Sequence, residues 1–253
     1  MGDSVAHLGS AWGAATLDAT LRGRVAGFGE YFALAEPAGA GWRPVSPLLT
    51  DVAAVREQVA GTRRAIADAR RMEPDRILLK SAASAWHLAI AARLISPVIG
   101  AAAHCSAVPV LTPPRLYWRP GAGHGLKLAA ARLTWVDAHT PRRAAELIVG
   151  SLLDTVFAPL HQTLRAAAAL SPGVMWGNLA SAAHGAVTVM AGTRPVYRAS
   201  CQALIGTLLE MGPLHDSATV AGGRFRRRNC CLFYRVPGSG LCGDCVLSHP
   251  PTD

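Results

Sequence analysis

The sequence predicts a mainly α (α+β) protein: a helical body, one small β-hairpin and a cysteine-rich C-terminal loop. Three observations carry that expectation. Apolar residues recur at steps of three and four through long alanine-rich stretches, the spacing of a single helix face. Helix-start signals, Thr140-Pro141 and Ser171-Pro172, sit at the heads of such stretches, while residues 115–136 alone break into strand-like runs around Pro and Gly. Four of the six cysteines fall between positions 230 and 245. The chain of 253 residues is 51% hydrophobic and 16% charged, enough apolar material for a sizeable core and too little charge for a disordered chain. Two units are expected: a helical body over residues 1–222 and a cysteine segment over residues 223–253.

Taken in order, residues 4–35 read as a helix with Leu17, Leu21, Val25, Phe28 and Phe32 on one face, weakened by Gly23, Gly27 and Gly29. A breaker-rich connector runs from Glu36 to Pro47. A second helix is expected from an Asp51 cap to about Arg71, with Arg56, Glu57, Arg63, Arg64 and Arg70 on its outer face. Residues 75–103 form the central apolar helix, with a break at Pro97 in view; His87 and Arg93 are its inward polar residues, read first as core-edge side chains and second as cleft lining. The hairpin at residues 115–136 turns through Pro-Gly-Ala-Gly-His, and its glycines do not form a dinucleotide fingerprint. From Thr140 a helix carries Leu147 or Ile148, Leu152, Val156, Leu160 and Leu164. The next helix runs from Ser171-Pro172 to about Gly192, and a last one from Pro195 to Gly212. A loop over residues 213–223 then leads to the cysteines.

Lysine and arginine outnumber aspartate and glutamate 25 to 16, giving a formal net charge of +9. A basic surface favours acidic or anionic partners. No polybasic tail and no helix-turn-helix with a basic recognition helix appears, so nucleic acid is not expected as a partner. The N-terminus lacks the pattern of a signal peptide, and the apolar stretch 77–111 is interrupted by Lys80, His87, Arg93, Pro97 and His104. A cytoplasmic protein with no transmembrane span is therefore expected, free or peripheral at the inner face of the membrane.

The cysteines follow the pattern C-C-x10-C-x2-C: Cys230, Cys231, Cys242 and Cys245. Four thiolates this close make a soft ligand set, which selects zinc or an iron–sulfur cluster. Cys242 and Cys245 have the spacing of a chelating hook. Cys230 and Cys231 are adjacent, and neighbouring side chains diverge, so they wrap one ion poorly and suit two irons better. A [2Fe–2S] cluster is the favoured reading, with a zinc site next and disulfides or free thiols last. Val236 to Gly240, with Pro237, Gly238 and Gly240, is turn chemistry that returns the second pair onto the first, and Gly243 gives the hook room for backbone N–H donors to sulfur.

Arg-Arg-Asn-Cys-Cys-Leu-Phe-Tyr-Arg at residues 227–235, followed by Gly-Leu-Cys-Gly-Asp-Cys at 240–245, resembles the C-terminal segment of FhuF-type ferric-siderophore reductases. Looser similarity extends to residues 91–100, 116–120 and 175–182. Phe233 stands where a tyrosine is common, which leaves every ligand in place. The resemblance implies a [2Fe–2S] cofactor, a ferric siderophore as substrate, and a body related in part to siderophore synthetases.

Arg224, Arg226, Arg227, Arg228 and Arg235 surround the cysteines. Arg224, Arg226, Arg227 and Arg235 are expected on a basic rim that attracts an anionic chelate or an acidic donor and raises the cluster's potential. Trp118 and Trp176 are weaker substrate-binding candidates and stronger core anchors. His124, His184 and His215 lack ligand spacing; Cys105 and Cys201 read as core thiols. No nucleophile motif, P-loop or zinc-protease signature is present. The expected activity is electron transfer to Fe(III) held by a siderophore, releasing Fe(II), with any pyridine nucleotide or flavin belonging to an external ferredoxin- or flavin-reductase-like donor. The alternative is an iron–sulfur redox sensor, and a zinc-binding module stands third.

Overall fold

A computed structural model describes residues 3–121 and 126–247, with side chains described from Ala15 onward. The long apolar helix is the axis of the body. This helix, α4 (Leu79–Cys105), packs along α7 (Pro172–Thr193) and buries Ile90, Leu94, Ile95, Val98 and Ile99 completely. Pro97 does not break it: the helix continues to Cys105, where Ser106 takes a left-handed conformation. Its length and apolarity would suffice to cross a membrane, as would those of the helical stretch Pro141–Ala168, but 61% of the apolar window of α4 is buried inside this body.

Around that axis lie α1 (Asp3–Ala26), α2 (Ser46–Thr50), α3 (Val52–Arg70), α5 (Pro141–Ile148), α6 (Ala158–Ala168) and α8 (Arg198–Leu209). α1 ends sooner than the periodicity predicts, because Gly29 adopts φ 120° and the chain turns into a short 3-10 segment, Glu30–Phe32. Leu21, Val25, Phe28 and Phe32 are buried as expected, whereas Leu17 is 53% exposed. The Asp51 cap of α3 is present, its side chain accepting from the Ala53 N–H at 2.7 Å. Arg63 and Arg70, expected on the solvated face of α3, instead reach across to backbone carbonyls of Ile77 and Gly238. The helix from Thr140 starts at its predicted cap but widens into a π stretch, Val149–Phe157, before α6. There the Ala158 N–H reaches back five residues to the Leu153 carbonyl, just before Pro159, which has no N–H to give a regular ladder.

The β content exceeds the predicted hairpin. β3 (Leu116–Pro120) and β4 (Leu126–Ala130) pair antiparallel, Trp118 opposite Leu128, and β1 (Arg43–Pro44) extends them into a three-stranded sheet. β5 (Thr134–Asp137) leaves that sheet to pair with β2 (Ala107–Val110). The turn of the hairpin, including His124, lies outside the described residues. A third pair, β6 (Ala218–Ala221) with β7 (Arg224–Arg227), occupies part of the stretch read as loop, and the expected boundary at 222/223 falls in its turn.

Candidate metal centre

β7 sets the centre's geometry. It alternates exposed and buried, so Phe225 and Arg227 face inward while Arg224 and Arg226 face out. The chain then crosses α7 at Gly173, where a Cβ would stand 2.7 Å from Asn229 Oδ1 and would push that side chain aside. Cys230 and Cys231 follow. The return turn is Val236-Pro237-Gly238-Ser239, closed by the Ser239 N–H to the Val236 carbonyl at 2.9 Å, with Gly238 at φ 72° in the position that needs it. The Cys242–Cys245 hook is closed by the Cys245 N–H to the Cys242 carbonyl at 3.2 Å.

The turn does bring the second pair back to the first: Cys231 Sγ and Cys242 Sγ lie 3.4 Å apart. Burial first, and then the nearby Cys231 and Cys245, push the Cys230 thiol up. Two sulfurs accept backbone hydrogen bonds in the same local pattern, Cys230 from the Leu232 N–H at 3.3 Å and Cys245 from the Leu247 N–H at 3.4 Å. Such N–H···S bonds favour thiolate over thiol and tune the metal they hold. As free thiols, Cys230 is pushed up by burial, and Cys242 further up, by burial first and then by Cys231 and Asp244. Loading a metal must therefore displace protons. Among the described residues no three His, Cys, Asp or Glu side chains gather closely enough to hold a metal ion, and the two cysteine pairs meet through Cys231 and Cys242. A donor set in two pairs, each with its own N–H···S bond, fits a dinuclear cluster.

A buried polar network anchors both pairs. Arg227 donates to Asp244 Oδ2 at 3.0 Å and to Asn178 Oδ1 at 2.7 Å, with only 1% of its side chain exposed. Asn178 passes its Nδ2 to the Ser84 carbonyl and hydroxyl, and the Ser84 hydroxyl donates to the Cys231 carbonyl at 2.7 Å. Ser181 donates to the same Asp244 oxygen. Burial pushes the Asp244 carboxyl up, but the Arg227 charge and the donors Ser181, Arg227 and Cys242 outweigh it, and the net shift is down. From α3, Arg70 holds the return turn through the Gly238 carbonyl at 3.1 Å and Ser239 Oγ at 2.8 Å.

Residues 227–247 match the family model described as FhuF 2Fe-2S C-terminal domain. The segment is similar to the FhuF type. Its cofactor is a [2Fe–2S] cluster, and the zinc alternative gives way. The chain is also 26% identical over 129 residues to the ferric siderophore reductase of Escherichia coli (strain K12), a match covering 45% of this chain and 47% of the relative. The chain thus spans about half the length of the curated relative it matches.

Not all of the expected rim is a rim. Arg224 and Arg226 are exposed, although Arg226 is engaged with the carbonyls of Cys245 and Val246 at 3.1 Å each. Arg235 is exposed and lies over the ring of Tyr234. Arg227 is a correction: it is buried, an internal brace for the hook. Trp118 is buried in the three-stranded sheet under Arg43, and Trp176 packs edge-on against His161 with ring centroids 4.2 Å apart, both as core anchors. His184 stacks on Phe225, and His215 pairs with Asp216. Cys201 is a buried thiol raised to about 11 by burial, and Cys105 is raised by the same cause.

Two features had no sequence forecast. His87 and His161 meet in the core, Nε2 to Nε2 at 2.8 Å, and both are held neutral, burial pushing His161 down to about 3. The second is a cavity of about 720 Å³ between α3, α4, α7 and the cysteine loop, with Cys231 and Phe233 in its wall. Its lining is mostly alanine, glycine, aliphatic and aromatic residues, with a few serines and the charged Glu30 and Arg70 among them, and apolar types of this kind are passed over in a search for chemistry-bearing side chains.

Proposed function

We propose that the protein is a cytoplasmic iron–sulfur reductase that transfers one electron to Fe(III) held by a siderophore, releasing Fe(II). The observation that carries this reading is Cys231 in the wall of a ligand-sized cavity, so that a bound chelate and the metal centre share one site. When bound to Cys230, Cys231, Cys242 and Cys245, the cluster supplies the single electron. Siderophores grip iron through hard oxygen donors that suit Fe(III) far better than Fe(II), so this electron by itself loosens the metal. The protein's own tasks are positioning and charge. Arg227 and Asp244 fix the hook, Ser84 fixes the first pair, and Arg70 fixes the turn between them. Arg224, Arg226 and Arg235 keep positive charge outside the cysteines, where it attracts an acidic electron donor of ferredoxin or flavin-reductase type. A redox sensor would need the cysteines and the network but has no use for a cavity that opens onto one of its ligands.

The test is anaerobic mixing of the reduced holoprotein with a ferric siderophore and an Fe(II) trap. One trapped Fe(II) should appear per reoxidised protein, and no trapped Fe(II) from any siderophore would refute the reading. With an acidic protein as donor, Arg224→Glu and a roughly tenfold rise in salt should each slow electron delivery.

A further inference from the structure

The cavity beside Cys231 has the wrong lining for a polyanion. Ala85, Ala89 and Ala92 on α4 face Ala182, Gly185 and Ala186 on α7, and these short side chains leave a slot between two long helices. The charged groups at its edge are already engaged. Glu30 pairs with Arg93 at 3.0 Å, Arg93 lies over the Tyr31 ring, and Arg70 is spent on the return turn. The hydroxyls of Ser81 and Ser84 donate to the carbonyls of Leu232 and Cys231. Around the opening three large apolar side chains stand in solvent, Tyr31 at 49%, Val189 at 47% and Phe233 at 45% exposed. Apolar groups of that size, gathered at the mouth of an apolar cavity, mark a binding site.

Resting on the reductase reading, we infer that this cavity seats a hydrocarbon arm of the ferric chelate: the substrate class is an amphiphilic siderophore, with an iron-binding head and an apolar tail. A chelate head is rich in amide and oxygen groups, and pressing it against this wall would strip their water without replacing it. A hydrocarbon arm meets the opposite balance, because the wall gives up little hydration and the arm loses its exposure. The volume of about 720 Å³ accommodates such an arm. With the arm in the slot, Phe233 and Cys231 in the same wall hold the head against the cysteine loop. An apolar electron carrier would find the same wall, but the donor is served by the exposed Arg224, Arg226 and Arg235 outside the cysteines, which leaves the cavity to the electron acceptor.

The experiment measures binding apart from electron transfer. Gallium(III) complexes of one synthetic trihydroxamate, with and without an octyl arm, are titrated into the holoprotein by calorimetry; gallium takes the place of Fe(III) but accepts no electron. The armed complex should bind at least about tenfold tighter. Gly185→Phe should erase that difference and leave the armless complex unchanged. A side chain fits there, since nothing lies within 4 Å of a Cβ built at Gly185, and losing a mid-helix glycine favours the helix. Val196→Ser, at an exposed apolar residue outside the cavity, should change neither affinity. Equal affinity for the two complexes, or an arm effect that survives Gly185→Phe, would overturn the inference. If the ferric forms of both complexes went unreduced, the reductase reading would fail while the gallium titration still decided what the cavity holds.

Discussion

Arg227 Nε donates to Asp244 Oδ2 at 3.0 Å, joining the strand before the first cysteine pair to the hook that holds the second. The Arg227 backbone N–H also donates to the Asp244 carbonyl at 3.1 Å, so side chain and main chain both make the joint. Through Asn178 and Ser84 the same guanidinium reaches the carbonyl of Cys231. One buried cation therefore reaches both halves of the ligand set, and its charge is paired with the Asp244 carboxylate, as a desolvated charge requires.

Removing that cation should be costly. Arg227→Met leaves the Asp244 carboxylate without its cation, with Ser181 and Cys242 still donating, and takes the donor from Asn178 Oδ1, a loss on the order of 3–5 kcal/mol. Chemical unfolding of the holoprotein should show a loss of that size, together with faster bleaching of its visible absorption. Arg227→Lys keeps the charge but not the two-pronged geometry, and should fall between parent and Met variant. A Met variant as stable as the parent would show that the network carries no load.

The helical body was legible because its signals are local. Asp51, Thr140 and Ser171 cap their helices as the sequence predicts, since a cap depends only on the next three residues. The four cysteines were legible for the same reason: their spacing and the Pro-Gly turn between them are written within a short stretch. What escaped depends on distant partners. β5 pairs with β2 rather than with the neighbouring hairpin, and the sequence does not say which edge is free. Arg227 looked like one more surface arginine, although the alternation Arg224-Phe225-Arg226-Arg227 places it on the same face as Phe225. Asn178, in the apolar run of α7, was a second such signal, because a polar residue there needs a buried partner. The cavity escaped because alanines are chosen for what they leave empty.

The return turn depends on α3 as well as on its own glycine. Arg70→Ala removes the bonds to Gly238 and Ser239 at a partly exposed site, so the stability loss should be small, about 1 kcal/mol. The clearer effect should be kinetic, as a loosened turn admits oxygen and chelators to the metal centre. Loss of visible absorption in air should quicken in the variant, and an unchanged rate would show that the turn holds itself.

The histidine pair predicts an acid-sensitive fold. His161 is pushed down to about 3 and His87 well below its usual range, both first of all by burial. Unfolded histidines titrate near about 6.5, so above that pH both states are neutral and the pair carries no penalty. As pH falls from about 6.5 towards 3, the unfolded chain binds protons that the folded one refuses, and stability declines by up to about 1.4 kcal/mol per pH unit for each histidine. Asp244, whose folded carboxyl is shifted down, adds loss in the same direction at lower pH. Urea unfolding between pH 7 and 5 should show this slope in the parent, and a much flatter one in the double variant His87→Leu/His161→Leu. Equal slopes would mean that the pair does not titrate as its burial requires.

The central claim is that Cys230, Cys231, Cys242 and Cys245 together hold one [2Fe–2S] cluster, and it is tested most directly by spectroscopy on single serine variants purified without oxygen. The parent should be brown, with two irons and two sulfides per chain and a paramagnetic signal on one-electron reduction. Each of the four Cys→Ser variants should lose or markedly alter those bands, while Cys105→Ala and Cys201→Ala leave them unchanged. A colourless parent with one zinc per chain, or a parent-like spectrum in any of the four serine variants, would contradict the account.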